Sequence, residues 1–60
     1  MRKEIADYMK DNRNAIILES KEGLEVDLYE DKYYIETKYL HSHNKEYAMD
    51  LATNWINKII

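Results

Sequence analysis

His41 and His43 are the residue pair in this sequence that best matches metal-ligand chemistry. Two histidines two residues apart at the end of a strand point to the same side, and Glu46 or Asp50 could add a carboxylate oxygen. Zinc takes about four protein ligands in a structural site and three in a catalytic one. No further residue completes such a set, so we interpret the two histidines as part of a solvated loop and expect no metal.

Nucleophilic catalysis would require Ser20 or Ser42 beside a histidine base and an orienting acid. Ser42 lies between the two histidines, but its better explanation is a cap on the helix that follows. The single glycine, Gly23, excludes a glycine-rich phosphate loop. A chain of 60 residues also leaves little room for a pocket that could desolvate a substrate. We therefore expect no enzymatic activity and no cofactor.

Negative charge is concentrated in the middle of the chain. The net charge is −3, but residues 19–36 hold seven acidic residues and two lysines, a net of −5, which leaves +2 for the remainder. Such a stretch repels a phosphate backbone and favours a partner with a basic surface. Cysteine is absent, which excludes disulfides and thiolate zinc sites and is consistent with a reducing compartment.

The C-terminal part, residues 44–60, has the pattern of an amphipathic helix capped by Ser42 or Asn44. Its apolar residues recur at spacings of three and four, so they fall on one stripe: Ala48, Leu51, Ala52, Trp55 and Ile59, flanked by Met49, Ile56 and Ile60. Another element must cover this stripe, because Trp55 is too large to be left in water without cause.

The middle of the chain has the pattern of three strands, at residues 15–20, 24–29 and 33–40. Leu24, Val26 and Leu28 alternate with polar residues, which is typical of a strand with one buried face. A two-residue turn before the third strand would place Ile35 on the same face, and a three-residue loop would place Tyr34 there instead. We favour the first register. The predicted core anchors are Trp55, Leu51, Val26, Leu28 and Ile35.

Residues 2–11 are interpreted as a short N-terminal helix, because Met1, Ile5 and Met9 recur every four residues. A frayed N-terminal arm is the alternative. The predicted fold is α+β, with the order α-β-β-β-α: a short helix, a three-stranded antiparallel meander, and a long C-terminal helix packed on one sheet face. Residues 1–60 form a single small domain.

The face of the sheet away from the C-terminal helix is the candidate docking surface. It is predicted to carry Glu25, Asp27, Tyr29, Tyr34 and Glu36. Tyrosine is enriched at protein interfaces, and the chain has six tyrosines and no phenylalanine. The alternative is a solvated polar face on which Tyr29 and Tyr34 form a cross-strand pair.

The predicted order of elements is found in two known families. The residues that agree with these families are Asn44-Lys45-Glu46 at the helix start and the small residues Ala48 and Ala52. The order helix, sheet, helix is similar to that of the double-stranded RNA-binding domain, and three strands plus a helix are similar to the arm-binding domain of phage integrases. The resemblance implies lysines at the start of the last helix, or basic residues on the open sheet face. This chain has Lys45 alone at the helix start and three acids on the sheet face, which disfavours nucleic acid.

The sequence therefore predicts a small non-enzymatic binding protein that acts by protein–protein contact, as an inhibitor or adaptor of bacterial or phage type. A nucleic-acid-binding module is the alternative. A homodimer is also expected, because so small a chain without disulfides or metal has little core. A second subunit would cover the second apolar face of the strand at residues 15–20. The alternative is that the N-terminal helix covers this face. The longest apolar run is four residues, too short for a signal peptide or a membrane span, so a cytoplasmic location is expected.

Overall fold

A computed structural model describes residues 2–59 of the chain. It contains one antiparallel sheet of four strands in the order of the sequence, followed by one helix. The elements are β1 (Lys3–Lys10), β2 (Arg13–Ser20), β3 (Gly23–Glu30), β4 (Tyr33–Leu40) and α1 (Lys45–Ile56). The predicted order α-β-β-β-α is therefore wrong, and the order is β-β-β-β-α.

The predicted N-terminal helix is replaced by strand β1. Ala6 lies opposite Ile17 and Tyr8 lies opposite Ala15 in the antiparallel pairing with β2, so both side chains join the core side of the sheet. A helix this short is marginal in water. A strand instead satisfies its own backbone groups and those on the open edge of β2. The helical spacing of Ile5 and Met9 is thus coincidental.

A β-bulge decides which residues of β4 face the core. The two-residue turn that the favoured register requires falls at Asp31 and Lys32. The register then shifts beside Ile35, so that Leu28 pairs with Glu36. Ile35 is consequently 48% exposed, and the prediction that it belongs to the core is wrong. One extra residue in a strand changes the face of its neighbours.

The core lies between α1 and one face of the sheet. The helix packs mainly on β2, with β1 and β3 on either side. Two alanines that are fully buried, Ala48 and Ala52, let the helix approach the sheet closely. The buried apolar residues are Ala15, Ile17, Leu24, Val26, Leu28, Leu40, Ala48, Ala52 and Ile56.

Trp55 and Leu51 lie at the margin of this core, where both are partly buried. The guanidinium of Arg13 stacks 4.5 Å from the centre of the Trp55 ring. Arg13 also donates a hydrogen bond of 2.8 Å to the Trp55 carbonyl oxygen, near the end of α1. The fully buried side chains at the centre of the core include Val26 and Leu28.

Both ends of α1 are capped. At the start, the Asn44 side chain accepts a hydrogen bond of 2.9 Å from the backbone N–H of Tyr47, so Asn44 is the N-cap. At the end, Lys58 adopts a left-handed φ of 61°, and the Ile59 N–H reaches the Asn54 carbonyl at 2.9 Å. This is a Schellman motif, and it stops the helix short of the predicted end.

No helix within residues 2–59 has both the length and the apolar character needed to cross a membrane. Met1 and Ile60, which the sequence interpretation placed on the apolar stripes of two helices, lie outside the described residues.

Candidate functional site

The sheet has one face under α1 and one open face, on which no helix or strand packs within residues 2–59. Two groups of side chains occupy opposite ends of the open face. The carboxylate cluster consists of Arg2, Ser20, Glu25, Asp27, Thr37 and His41. The turn groove is lined by Met9, Asp11, Asn12, Arg13, Asn14, Ile16, Tyr29, Asp31 and Lys32.

Glu25 is the centre of the carboxylate cluster. Its carboxylate meets Arg2 Nε at 2.8 Å, Ser20 Oγ at 3.0 Å and His41 Nε2 at 3.0 Å, and its side chain is 8% exposed. The hydrogen bond with His41 lowers the pKa of Glu25 most, and Ser20 and Arg2 act in the same direction, against the effect of burial. Glu25 is therefore ionised at neutral pH.

Asp27 is held by the same arginine. Arg2 Nη2 donates to its carboxylate at 2.7 Å, and Thr37 Oγ1 donates at 2.7 Å from the neighbouring strand. The bond to Asp27, with the charge of both carboxylates, raises the pKa of the Arg2 guanidinium. Thr37 Oγ1 also lies 2.8 Å from the Tyr34 hydroxyl, so the network extends to the exposed edge of the sheet.

Gly23 brings His41 to this cluster. It has a φ of 135°, and a Cβ added there would lie 2.9 Å from both Cα and the carbonyl oxygen of His41. Only glycine allows this close approach of the two backbones. The position of the His41 ring beside Glu25 thus depends on the one glycine of the chain.

The cluster is built to neutralise charge. Each carboxylate accepts hydrogen bonds from at least two side chains, and the Arg2 guanidinium bridges both. The Ser20 hydroxyl donates to Glu25 at 3.0 Å and accepts from the Glu22 N–H at 3.2 Å, so it is held within the cluster. The arrangement stabilises the fold by tying the N-terminal segment to β3 and to the β4–α1 connection.

The two histidines bind different partners. His41 contacts Glu25 and lies edge-on to the Tyr39 ring at 5.6 Å between centroids. His43 stacks on Tyr47 at 3.9 Å. Within residues 2–59, no group of three or more histidine, aspartate or glutamate side chains is arranged to hold a metal ion.

Glu25 and Asp27, which we expected on an exposed docking surface, are instead buried on the open face. They are 6% and 8% exposed and are covered by the Arg2 side chain, which reaches them from beyond β2. The sequence showed the alternation of β3 but gave no sign of the arginine, because Arg2 lies 25 positions before Asp27.

The other three predicted docking residues are divided between the two faces. Tyr29 and Tyr34 pair edge-to-face on the open side, with 5.8 Å between ring centroids. Glu36 lies opposite Leu28 on the helix side of the sheet, because of the bulge at Ile35, and forms an ion pair with Lys38 at 3.5 Å. The predicted docking surface is therefore not one continuous patch.

The turn groove has an apolar floor. Met9, Ile16 and Tyr29 come from three adjacent strands, and Met9 is 71% exposed. The groove is open to solvent and has a volume of about 640 Å³. A surface of this kind, apolar at its floor with a few polar groups at its rim, is typical of a binding site.

Two aspartates form the rim, one in each hairpin turn. Asp11 and Asp31 are exposed and adopt left-handed φ values of 56° and 55°. The two turns are joined, since the Asp31 N–H donates to the Asn12 carbonyl at 2.8 Å and the Asn12 amide donates to the Asp31 carboxylate at 3.1 Å. The rim is thus fixed before any partner binds.

The sequence interpretation missed this groove because it placed Met9 on a helix. The signal that could have revealed it is the spacing of the turns. Polar pairs suited to two-residue turns recur every ten residues, at residues 11–12, 21–22 and 31–32. This spacing predicts four strands of equal length and places the first and third turns at the same end of the sheet.

Comparison of the chain with protein-family models, with curated proteins and with solved structures gives no match.

Proposed function

We propose that the protein is a non-enzymatic binding protein that captures a protein partner in the turn groove. The observation that carries the proposal is the combination of an exposed apolar floor with two exposed carboxylates on a fixed rim. This combination fits a partner segment that inserts an apolar side chain and places basic groups beside Asp11 and Asp31.

The rim supports a basic partner because both of its carboxylates are exposed. Glu25 and Asp27 share the guanidinium of Arg2, whereas Asp11 and Asp31 are exposed. The groove is also lined by two cations, of which Lys32 is exposed, whereas Arg13 is partly buried and its guanidinium contacts Trp55 and Glu30. Exposed charges of this kind steer association and select partners more than they add affinity.

The joined turns support binding because they lower its entropic cost. A partner that docks on a preorganised surface does not have to order the loops that it contacts. We also propose that the protein acts as an inhibitor or adaptor in the cytoplasm, a role that binding without catalysis is sufficient to perform.

The test is a selection of peptides from a random phage-displayed library on the immobilised protein. We expect the selected peptides to combine an apolar residue with lysine or arginine. In a two-dimensional NMR titration, binding of a selected peptide should shift the amide cross-peaks of Met9, Ile16 and Tyr29. Perturbations confined to α1 would contradict the proposal.

The variant Asp11→Asn with Asp31→Asn removes both rim charges and keeps residues that tolerate a left-handed φ. We expect it to raise the dissociation constant of a selected peptide by about 2- to 10-fold. Asp50→Asn, on the exposed side of α1, is the control for charge and should leave binding unchanged. Equal effects of the two variants would mean that the peptide does not use the groove.

Nucleic acid is the alternative ligand. Binding of a DNA or RNA oligonucleotide that falls steeply with salt would indicate phosphate contacts and would favour that alternative. The carboxylates of the rim repel phosphate, and for this reason we favour a protein partner.

A further inference from the structure

Strand β4 is the unprotected edge of the sheet. It pairs with β3 on one side, and within residues 2–59 nothing pairs with its other side. Four of its side chains are large, apolar or aromatic, and exposed: Tyr33, Tyr34, Ile35 and Tyr39. Natural edge strands are usually blunted by charges, bulges or covering elements, because their free backbone groups pair with other chains.

The opposite edge of the sheet shows such protection. Strand β1 carries four charged residues in eight, Lys3, Glu4, Asp7 and Lys10, and a bulge interrupts it beside Glu4. The charged residues of β4 are Glu36 and Lys38. Its own bulge lies at Ile35, which leaves a regular ladder from Glu36 onward.

We propose that β4 pairs with β4 of a second copy of this chain, antiparallel, about a two-fold axis at Thr37. This homodimer goes beyond the proposed function, since it uses the edge of the sheet and leaves the turn groove free. The two sheets would join into one continuous sheet of eight strands with both helices on the same face.

The charge pattern selects this register. Opposed residues in an antiparallel pair must share a face. A two-fold axis perpendicular to the sheet must therefore lie at a residue that is opposed to the same residue of the second chain. An axis at Glu36 or at Lys38 would oppose like charges, which is unfavourable. An axis at Thr37 opposes Glu36 to the partner's Lys38, and Lys38 to the partner's Glu36.

The same register also covers apolar surface. It brings Tyr39, which is 67% exposed, near the partner's Ile35, which is 48% exposed and lies in the bulge that ends the regular ladder, once on each side of the axis. Such aromatic and β-branched pairs stabilise neighbouring strands. An axis further along, at Tyr39, would leave few residues to pair before β4 ends at Leu40.

Sedimentation equilibrium of the wild type and of two charge variants tests the dimer. We expect the wild type to have twice the monomer mass of 7.3 kDa at high concentration. Glu36→Lys and Lys38→Glu should each raise the dissociation constant roughly tenfold or more, because each opposes like charges in the homodimer. A wild type of monomer mass at every concentration would overturn the proposal.

Both variants also remove the ion pair between Glu36 and Lys38 within one chain. Mixing the two variants distinguishes this loss from the loss of contacts between chains. One variant has two lysines at these positions and the other has two glutamates, so an equal mixture should form heterodimers with wild-type affinity. A mixture as weak as its components would overturn the proposal. Circular dichroism melts at low concentration verify that each variant is folded.

The register can be tested by crosslinking, since the chain contains no cysteine. Cα atoms opposed at a two-fold axis lie within the range that a disulfide spans. Thr37→Cys should therefore form a disulfide-linked dimer on mild oxidation, and Glu36→Cys, the control, should not. Crosslinking through position 36 with none through position 37 would overturn the register.

Discussion

The guanidinium of Arg2 donates a hydrogen bond of 2.7 Å to the carboxylate of Asp27. Arg2 immediately precedes β1 and Asp27 lies on β3, so the contact spans strand β2. The same guanidinium bonds to Glu25 at 2.8 Å. One side chain at the start of the chain thus neutralises two carboxylates in the middle of the sheet. The open face is stabilised by this contact, which strand pairing alone would not produce.

Replacement of Arg2 by alanine should destabilise the protein by about 1–2 kcal/mol. Hydrogen bonds to charged groups contribute about this much, and the partial exposure of Arg2 reduces the effect. Urea unfolding at neutral pH measures it. Lys3→Ala, at the exposed neighbouring residue, is the control for charge and should cost little. Equal stabilities of the two variants would mean that the Arg2 contacts contribute nothing.

Stability should fall in acid because of Glu25. Its pKa is lower in the folded chain than its ordinary value of 4.5, so its contribution is complete above about pH 4.5 and is lost as the pH falls through the lowered native pKa. Glu25→Gln should flatten the dependence of the unfolding free energy on pH in this acid range. Glu22→Gln, in an exposed turn, should keep the wild-type dependence. A steep profile in Glu25→Gln would contradict the assignment.

Gly23→Ala should destabilise the protein by more than about 1 kcal/mol. The new Cβ would lie 2.9 Å from two backbone atoms of His41 and would require a φ that alanine rarely adopts. A thermal melt measures the loss, and the His41 ring resonances should shift as the ring moves from Glu25. Lys21→Ala, in the same turn, is the control. A Gly23→Ala variant with wild-type stability would show that the two backbones separate easily.

Leu28→Ala should cost more stability than Trp55→Ala. Leu28 is fully buried at the centre of the core, and such truncations cost about 2–5 kcal/mol. Trp55 is only partly buried and stacks on Arg13, so we expect about 1–3 kcal/mol there. Chemical denaturation ranks the two variants. The reverse order would place the main anchor of the core at Trp55.

The helix and the alternation of β3 were predictable from the sequence because each has a strong local period. Leu24, Val26 and Leu28 repeat every second residue, and Ala48, Ala52 and Trp55 repeat with the turn of a helix. These patterns depend on neighbours in the chain, and the structure places all six residues in or beside the core.

Strand β1 was not predictable in the same way, because its apolar residues fit two periods. Ile5 and Met9 match a helix, whereas Ala6 and Tyr8 match a strand, and only pairing with β2 decides between them. The bulge at Ile35 is a similar case, because local residue preferences do not reveal it. The candidate site was missed for the same reason, since both of its parts join residues that are distant in sequence.

The meander also determines how the chain reaches its native state. Each strand pairs with its neighbour in sequence across a two-residue turn, so every strand pairing closes only a short loop. Hairpins of this kind form within microseconds. Docking of α1 on β2 is different, because all of β3 and β4 lie between them. We therefore expect the hairpins to form early, and the rate-limiting step of folding to be the closure of the helix over the second strand.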